Sequence, residues 1–234
     1  MNRSRWRVWV GAGILLAIGV VAVFAPWLAP HDPWALLGPP MAPPGQAYLL
    51  GTDLLGRDLL SGLIHGARVS LLIGLASSAC AILIGGSLGA VAGYFGGRVD
   101  HAAMRITEFF QVIPSFLFAI LLVAIMTPGL ESVIVAIALV TWPPVARLVR
   151  AEFLSLRSRE FVEAARSVGI GHWQIIVREI LPNALPPVIA VGSLMVATAI
   201  LTEASLSFLG LADPNLISWG YIIGSSRPVF RQAW

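Results

Sequence analysis

Apolar runs of about twenty residues constrain this chain more than any other feature of its sequence, because a helix needs that length to cross the hydrocarbon core of a bilayer. Five runs have this character or approach it: Val8–Ala29, Val69–Phe95, Phe109–Met126, Ser132–Val149 and Ala184–Leu201. Hydrophobic residues make up 57% of the chain and charged residues only 12%, a composition that excludes an ordinary soluble domain. We therefore predict an all-α polytopic membrane protein with five spans.

The first run is predicted to be a membrane anchor. Arg3, Arg5 and Arg7 precede it, as basic residues precede a cleaved signal peptide, so that alternative stays open. The run is longer than a typical signal-peptide core, and no A-x-A cleavage pattern follows it. Both observations favour the anchor.

Arginine supplies all 15 basic residues and predicts the orientation of the chain. With the N-terminus in the cytoplasm, 11 arginines fall in cytoplasmic segments and 4 outside, which satisfies the positive-inside rule. The net charge of +3 is explained by this bias, and no basic patch interleaved with aromatic residues suggests nucleic acid. The four histidines and the lone Cys80 show no metal-ligand spacing, so we predict no metal site and no disulfide.

Glycine recurs every fourth residue along the second run, which would align these residues on one helix face and let another backbone approach closely. The residues are Gly85, Gly89, Gly93 and Gly97. Packing within this chain is the favoured interpretation, and packing against a second membrane subunit is the alternative.

The polar stretch EAARSVGIGHWQIIVREILPN, residues 163–183, lies between the fourth and fifth runs and is predicted to be cytoplasmic. Phe161, Ala164, Ala165 and Val168 have helical spacing, and Gly169 is a plausible helix stop. A second set with the same spacing, Trp173, Ile176, Val177 and Ile180, is predicted to end at Pro182. The pattern predicts a helix–turn–helix elbow. It would either rest on lipid or insert into a protein groove, and the small alanine face beside glutamates favours a protein partner.

The motif Glu163-Ala164-Ala165, followed by Gly169 and the Leu181-Pro182 end, resembles the EAA loop of bacterial ABC importer permeases. The segments GTDLLGRDLLSGLIHGARVSLLIG, AGYFGGRVD, WPPVARLVRAEFLSLRSREFVEAAR and EASLSFLGL are similar to the C-type subunit of the dipeptide, oligopeptide and nickel group. This resemblance implies a MetI-like ABC type I transmembrane domain with one extra N-terminal helix.

The resemblance also implies a function and a set of partners. The chain would form half of the translocation pathway of an importer in the bacterial inner membrane, with a second permease, two ATP-binding subunits and an external solute-binding protein. It would bind no cofactor, and ATP and magnesium would be used by the partners. A Walker A loop needs a lysine, which this chain lacks. The residues implied to couple to the ATPase are Phe161, Glu163, Ala164, Ala165, Gly169, Leu181 and Pro182.

The sequence departs from the family pattern after Leu201, where relatives continue into a sixth span. We expect residues 1–50 to hold the tail, the first span and a Pro-rich loop, and residues 51–234 to hold an incomplete transmembrane domain with its coupling loop at about 155–183. A truncated copy, a cut sequence and a natural five-span form all stay open, and loss of the sixth helix predicts lower stability.

Other classes of membrane protein fit less well. A secondary transporter would place ionisable residues deep in its spans, whereas the spans here are almost free of them. Glu108 and Glu203 lie near span ends and are either interfacial or pathway residues, and Glu203 is the better pathway candidate. An embedded enzyme would need a nucleophile with a base or a metal set. A structural anchor or a non-transporting paralogue is the main alternative. The solute is not fixed by the sequence, and peptides rank first on the resemblance alone.

Overall fold

Helices are the main regular elements in the computed structural model, which describes residues 5–127, 129–211 and 213–231. The first helix, α1, runs over Arg5–Val23, and a short turn, α2, follows at Ala25–Leu28. After an irregular Pro-rich segment, α3 runs unbroken over Leu59–Phe95. The sequence pattern therefore underestimated the length of this helix, whose first turns carry polar residues as well as leucines.

The next two helices are separated by a sharp bend. Helix α4 runs over Gly97–Val112, α5 over Ser115–Ile125, and the two axes differ by 82°. The prediction of one helix over Phe109–Met126 is wrong. Pro114 has no N–H to continue the helical hydrogen bonding, and it disfavours helical geometry at the residue before it.

Helix α6 spans Leu130–Leu156, and the elbow follows it as α7, Glu160–Ser167, and α8, His172–Gln174. A π-helical turn, Ile175–Ile180, leads into α9, Leu181–Phe208. The chain then forms α10, Trp219–Ser226, and a 3-10 turn at Arg227–Val229.

Four helical stretches are long and apolar enough to cross a membrane: Trp6–Val23, Leu59–Phe95, Leu130–Leu156 and His172–Phe208. The bent pair α4–α5 raises the number to five if it counts as one span. The stretch at α1 has only 6% of its residues buried, whereas the stretch at α6 has 56%. Helix α6 is therefore the most enclosed span among the described residues.

The described residues form two compact units. One contains the chain up to Ile73 together with the residues from Glu203 onward, and the other contains Gly74–Thr202. In the second unit, a core of buried apolar side chains joins the end of α3, the second half of α6, the elbow and the start of α9. Phe153, Val162, Ile175 and Ile180 are fully buried in it. The elbow is thus part of the core of this unit.

Candidate functional site

Helix α7 is short because Gly169 stops it. The residue has a φ of +81°, a conformation that costs little only for glycine. The N–H of Gly169 donates to the carbonyl of Arg166 at 3.0 Å, and the N–H of Ile170 donates to that of Ala165 at 3.1 Å. These two bonds form a Schellman motif. The predicted helix stop at Gly169 is confirmed.

The predicted apolar face of α7 is exposed except at Ala165, and the helix packs on the core through a neighbouring face. Val162 and Ala165 are buried, whereas Phe161 is 39% exposed and Val168 76% exposed. Ala164 is exposed as well. Val162 and Ala165 are also one turn apart, and the core of the second unit selects that pair. We call Phe161, Ala164 and Val168 the exposed stripe of α7.

The second half of the elbow is continuous with α9, so the prediction that Pro182 ends a separate helix is wrong. The π turn before Leu181 widens the helix, and the N–H of Leu181 donates to the carbonyl of Ile176, five residues back. This extra residue per turn accommodates Pro182, which would otherwise clash in a regular helix. Leu181 and Pro182 are both exposed on the resulting helix.

The predicted apolar set of the second helix is divided between the core and the surface. Of this set, Ile176 and Ile180 are buried, whereas Val177 is 37% and Trp173 75% exposed. Ile175, which the spacing did not include, is fully buried. Because the π turn changes the angle between successive residues, the spacing of a regular helix does not identify the buried side here. Trp173 therefore adds a further exposed apolar side chain to the elbow, beyond the exposed stripe of α7.

A polar contact that the sequence pattern did not indicate ties the elbow to α3. The Tyr94 hydroxyl lies 2.8 Å from Nδ1 of His172. The guanidinium of Arg166 lies over the Tyr94 ring, 5.3 Å from its centroid. Arg157 donates to the carbonyls of Gly93 and Tyr94 at 3.3 and 3.4 Å, at the negative end of the α3 dipole. This end of α3 therefore brings together four separate stretches of the chain, represented by Tyr94, Arg157, Arg166 and His172.

Three of the predicted glycines lie where α3 meets α6. A Cβ added to Gly85 or Gly89 would meet the carbonyl oxygen of Trp142 or Ala146, and one added to Gly93 would lie 2.6 Å from Cβ of Phe153. The fourth glycine, Gly97, does not lie on this packing face, so the prediction is wrong for this residue. Helix α3 ends at Phe95, and Gly97 begins α4 with a φ of +53° and nothing near its Cβ position. The four-residue spacing of the glycines therefore continues past the end of α3, and only its first three glycines belong to that helix.

An ion pair links α4 to α6. Nη2 of Arg150 donates to Oδ2 of Asp100 at 2.6 Å, and its Nε donates to Oδ1 of the same carboxylate. Both side chains are largely shielded from solvent. By contrast, Arg105 and Glu108 on α4 form a 3.7 Å pair whose side chains are largely exposed. Bidentate geometry and partial burial make the first pair the stronger of the two.

Glu203 belongs to the other unit and is buried, with 2% of its surface exposed. Its Oε1 accepts hydrogen bonds from Ser207 at 2.7 Å and from Ser218 at 2.6 Å. Ser218 also caps α10 by accepting from the N–H of Tyr221. Glu203 is absent from the linings of the described cavities. Its role as a pathway residue stays a prediction.

Asp58 in the same unit is buried just before α3 begins. Burial raises the pKa of this carboxyl, but hydrogen bonds from the Ser61 hydroxyl and N–H and from His31 outweigh it and hold the pKa below its ordinary value. His31 and Asp58 lie 3.4 Å apart. Within the described residues no cluster of three or more His, Cys, Asp or Glu side chains is placed to hold a metal ion.

Comparison with known families identifies the scaffold that carries these features. A family described as "binding-protein-dependent transport system inner membrane component" matches residues 85–226, which include the elbow and both helices of the bent pair. This chain belongs to that family. Residues 3–48 match a second family, the N-terminal transmembrane domain of oligopeptide transport permease C. The chain is therefore a multi-pass membrane transport component.

Named relatives extend the match over almost the whole chain. The di/tripeptide permease protein DppC of Pseudomonas aeruginosa is 42% identical over 96% of this chain and 77% of its own length. The probable D,D-dipeptide permease DdpC of Escherichia coli is 39% identical over 95% and 76%. The oligopeptide permease OppC of Bacillus subtilis is 37% identical over 97% and 75%.

A solved structure shows the fold. The inward-facing MetNI methionine ABC transporter matches with a TM-score of 0.61 at 20% identity, over 73% of this chain and 82% of that one. The predicted MetI-like fold is thereby confirmed.

Proposed function

We propose that this chain is a permease subunit of an ATP-driven importer and that its elbow, α7 to the π turn, docks on a cytoplasmic ATP-binding subunit. The observation that carries the proposal is the exposed stripe of α7. Three apolar side chains, Phe161, Ala164 and Val168, face away from the core on a helix that is fixed by its other side. An amphipathic helix with a small apolar face suits a groove in a protein partner.

The fixed inner face supports transmission of force through the elbow. Val162 and Ala165 bury their side chains in the core that also contains Phe153 of α6 and Val188 of α9. A push on α7 would therefore reach α6 and α9 through packed side chains, which behave as close-packed solids. Closure of the ATP-binding subunits would then shift the spans between inward-open and outward-open arrangements.

Several partners follow from this proposal. A second homologous permease would complete the pathway, two ATP-binding subunits would hydrolyse ATP with magnesium, and an extracytoplasmic binding protein would deliver the solute. The chain would lie in the bacterial inner membrane with its N-terminus in the cytoplasm. Peptides are the proposed solute because relatives named for di/tripeptides, D,D-dipeptides and oligopeptides match at 37–42% identity. Nickel chelates are the alternative within the same group.

The test places a carboxylate on the exposed stripe. Ala164→Asp puts a charge where the ATP-binding subunit would bury an apolar face, so the complex should lose that subunit and its binding-protein-stimulated ATPase activity. Ala102→Asp is the matched control, because Ala102 is an exposed alanine of α4 outside the elbow.

The readout is co-purification of the two permeases with the two ATP-binding subunits. ATPase and peptide-uptake assays in proteoliposomes follow, with the binding protein present. The proposal requires Ala102→Asp to retain assembly and uptake while Ala164→Asp loses both. Normal assembly and uptake by Ala164→Asp would show that α7 is not the docking element. Failure of the wild-type complex to import any peptide would show that the solute class is wrong.

A further inference from the structure

A cavity of about 420 Å³ lies beside the α4–α5 bend. Its walls come from the end of α4, the start of α5, the middle of α6 and the second half of α9, all within the unit Gly74–Thr202. This volume falls within the range of small-molecule sites. The polar residues of the lining are Gln111, Ser115, Thr141, Thr198 and Thr202.

The position of the cavity along the spans is unusual for polar side chains. Thr141 lies near the middle of α6, which is the most enclosed of the apolar spans. Polar groups at that depth are expensive unless they pair with one another or with backbone carbonyls or line a cavity, and Thr141 does both. Secondary transporters place solute sites near the midplane, where a helix is broken, and the 82° bend between α4 and α5 is a comparable break.

Hydrogen bonding decides what the cavity offers a ligand. The hydroxyls of Thr141, Thr198 and Thr202 donate their protons to carbonyls of their own helices, at 2.7, 2.9 and 2.8 Å. A hydroxyl whose proton is already donated in a hydrogen bond can still accept hydrogen bonds through its oxygen lone pairs. Pro144, also in the lining, has no N–H to give to the carbonyl of Val140, a neighbouring wall residue. The cavity is therefore rich in hydrogen-bond acceptors.

Charge is missing from this lining. Among the described residues that form the walls, none is an Asp, Glu, Arg or Lys. A site without fixed charge does not select a solute by its charged side chains. It favours a group that every member of a solute class shares.

We propose that this cavity binds the transported solute by accepting hydrogen bonds from its amide N–H or ammonium groups. The proposal rests on the transport function above and adds the site and its chemistry. Peptides of any sequence carry these donors, so one uncharged, acceptor-rich cavity serves many of them. The apolar lining, including Phe116 and Met195, tolerates varied side chains.

The test removes the three hydroxyls without changing the shape of the cavity. The triple variant Thr141→Val/Thr198→Val/Thr202→Val is assembled with its partners in proteoliposomes, and uptake of radiolabelled dialanine, trialanine and diglycine is measured. Loss of several hydrogen bonds predicts about tenfold slower uptake or more, with binding-protein-stimulated ATPase activity retained. The triple Thr→Ser variant, which keeps the hydroxyls, should import within about twofold of wild type.

Ser193→Ala is the control on the same helix. Ser193 donates to the carbonyl of Ala190 at 2.7 Å, as the threonines do to theirs, but it does not line the cavity. Its uptake should match that of the wild type. Wild-type uptake by the triple valine variant, or an equal loss in Ser193→Ala, would overturn the proposal.

A second measurement uses the wild-type complex and so does not depend on the folding of a variant. A dialanine analogue methylated on its amide nitrogen lacks one donor. After correction for its affinity to the binding protein, its uptake should fall about tenfold. Equal uptake of both peptides would overturn recognition through the amide N–H, whereas no uptake of any peptide would overturn the proposed solute class.

Discussion

The Tyr94 hydroxyl and Nδ1 of His172 lie 2.8 Å apart, so the end of α3 is joined directly to the start of α8. The contact connects residues that are 78 positions apart in the sequence. It holds the elbow against the membrane-spanning part of the same unit. Arg166, on the helix that carries the exposed stripe, lies over the same tyrosine ring.

Removing this hydroxyl should loosen the elbow without unfolding the chain. Tyr94→Phe keeps the ring under Arg166 but loses the bond to His172, a net loss of about 1 kcal/mol. Amide hydrogen exchange in the elbow should then be about fivefold faster. Tyr221→Phe, which alters a 3.3 Å contact with Arg57 in the other unit, should leave exchange in the elbow unchanged. Identical exchange in Tyr94→Phe and wild type would contradict a tethering role.

Gly89 is predicted to tolerate no side chain. Its Cβ position meets the backbone of α6 at Ala146, so Gly89→Ala forces the two helices apart at a cost of about 1–3 kcal/mol. Gly86→Ala is the control on the same helix, since nothing lies within 4 Å of its Cβ position. Thermal unfolding in detergent should show a lower midpoint for Gly89→Ala alone. Equal midpoints would mean that α3 and α6 are not packed as described.

The Asp100–Arg150 pair is predicted to contribute more stability than an ordinary surface pair. Arg150→Gln leaves a partly buried carboxylate without its bidentate partner and should cost about 1.5–3 kcal/mol. Arg105→Gln breaks the exposed pair with Glu108 and should cost about 0–1 kcal/mol. Thermal unfolding of both variants at one salt concentration checks the difference. A loss in Arg105→Gln as large as that in Arg150→Gln would refute it.

Gly169 is predicted to be required for its backbone conformation. Gly169→Ala must hold a φ of +81° with a Cβ present, which costs about 1–2 kcal/mol although no atom crowds that position. Gly171→Ala, two residues further on, has an ordinary φ of −65° and open space, so it should be neutral. The measurement is hydrogen exchange at residues 168–172 together with peptide uptake by the complex. Gly169→Asn should behave better than Gly169→Ala, because asparagine tolerates positive φ.

Most of the apolar spans and the existence of the elbow were predictable because each depends on local pattern. Runs such as Ser132–Val149 identified α6 within a few residues at its start, and Gly169 identified the end of α7. Which side of α7 is buried was not predictable. Two sets of residues on α7 have helical spacing: the exposed stripe, and the pair Val162 and Ala165. Only packing in the tertiary core shows that the pair is the buried set.

Departures from regular helices account for the other differences. Pro114 breaks a helix, whereas Pro182 continues one because a π turn precedes it, and a proline alone does not reveal which will happen. The burial of Glu203 depends on Ser218, which is 15 residues away and lies beyond the helix. Such contacts arise from the tertiary structure and leave no periodic signal in the sequence.

Cross-linking from the exposed stripe tests the central claim most directly. In a Cys80→Ser background, Val168→Cys places one thiol on the exposed C-cap of α7, and Ala102→Cys places one on the exposed side of α4. A short bismaleimide is added to membranes that contain the co-expressed subunits, with cysteines introduced over the surface of the ATP-binding subunit. The account predicts a cross-linked product from Val168→Cys and none from Ala102→Cys. Failure of Val168→Cys to cross-link in a complex that imports peptide would contradict docking through α7.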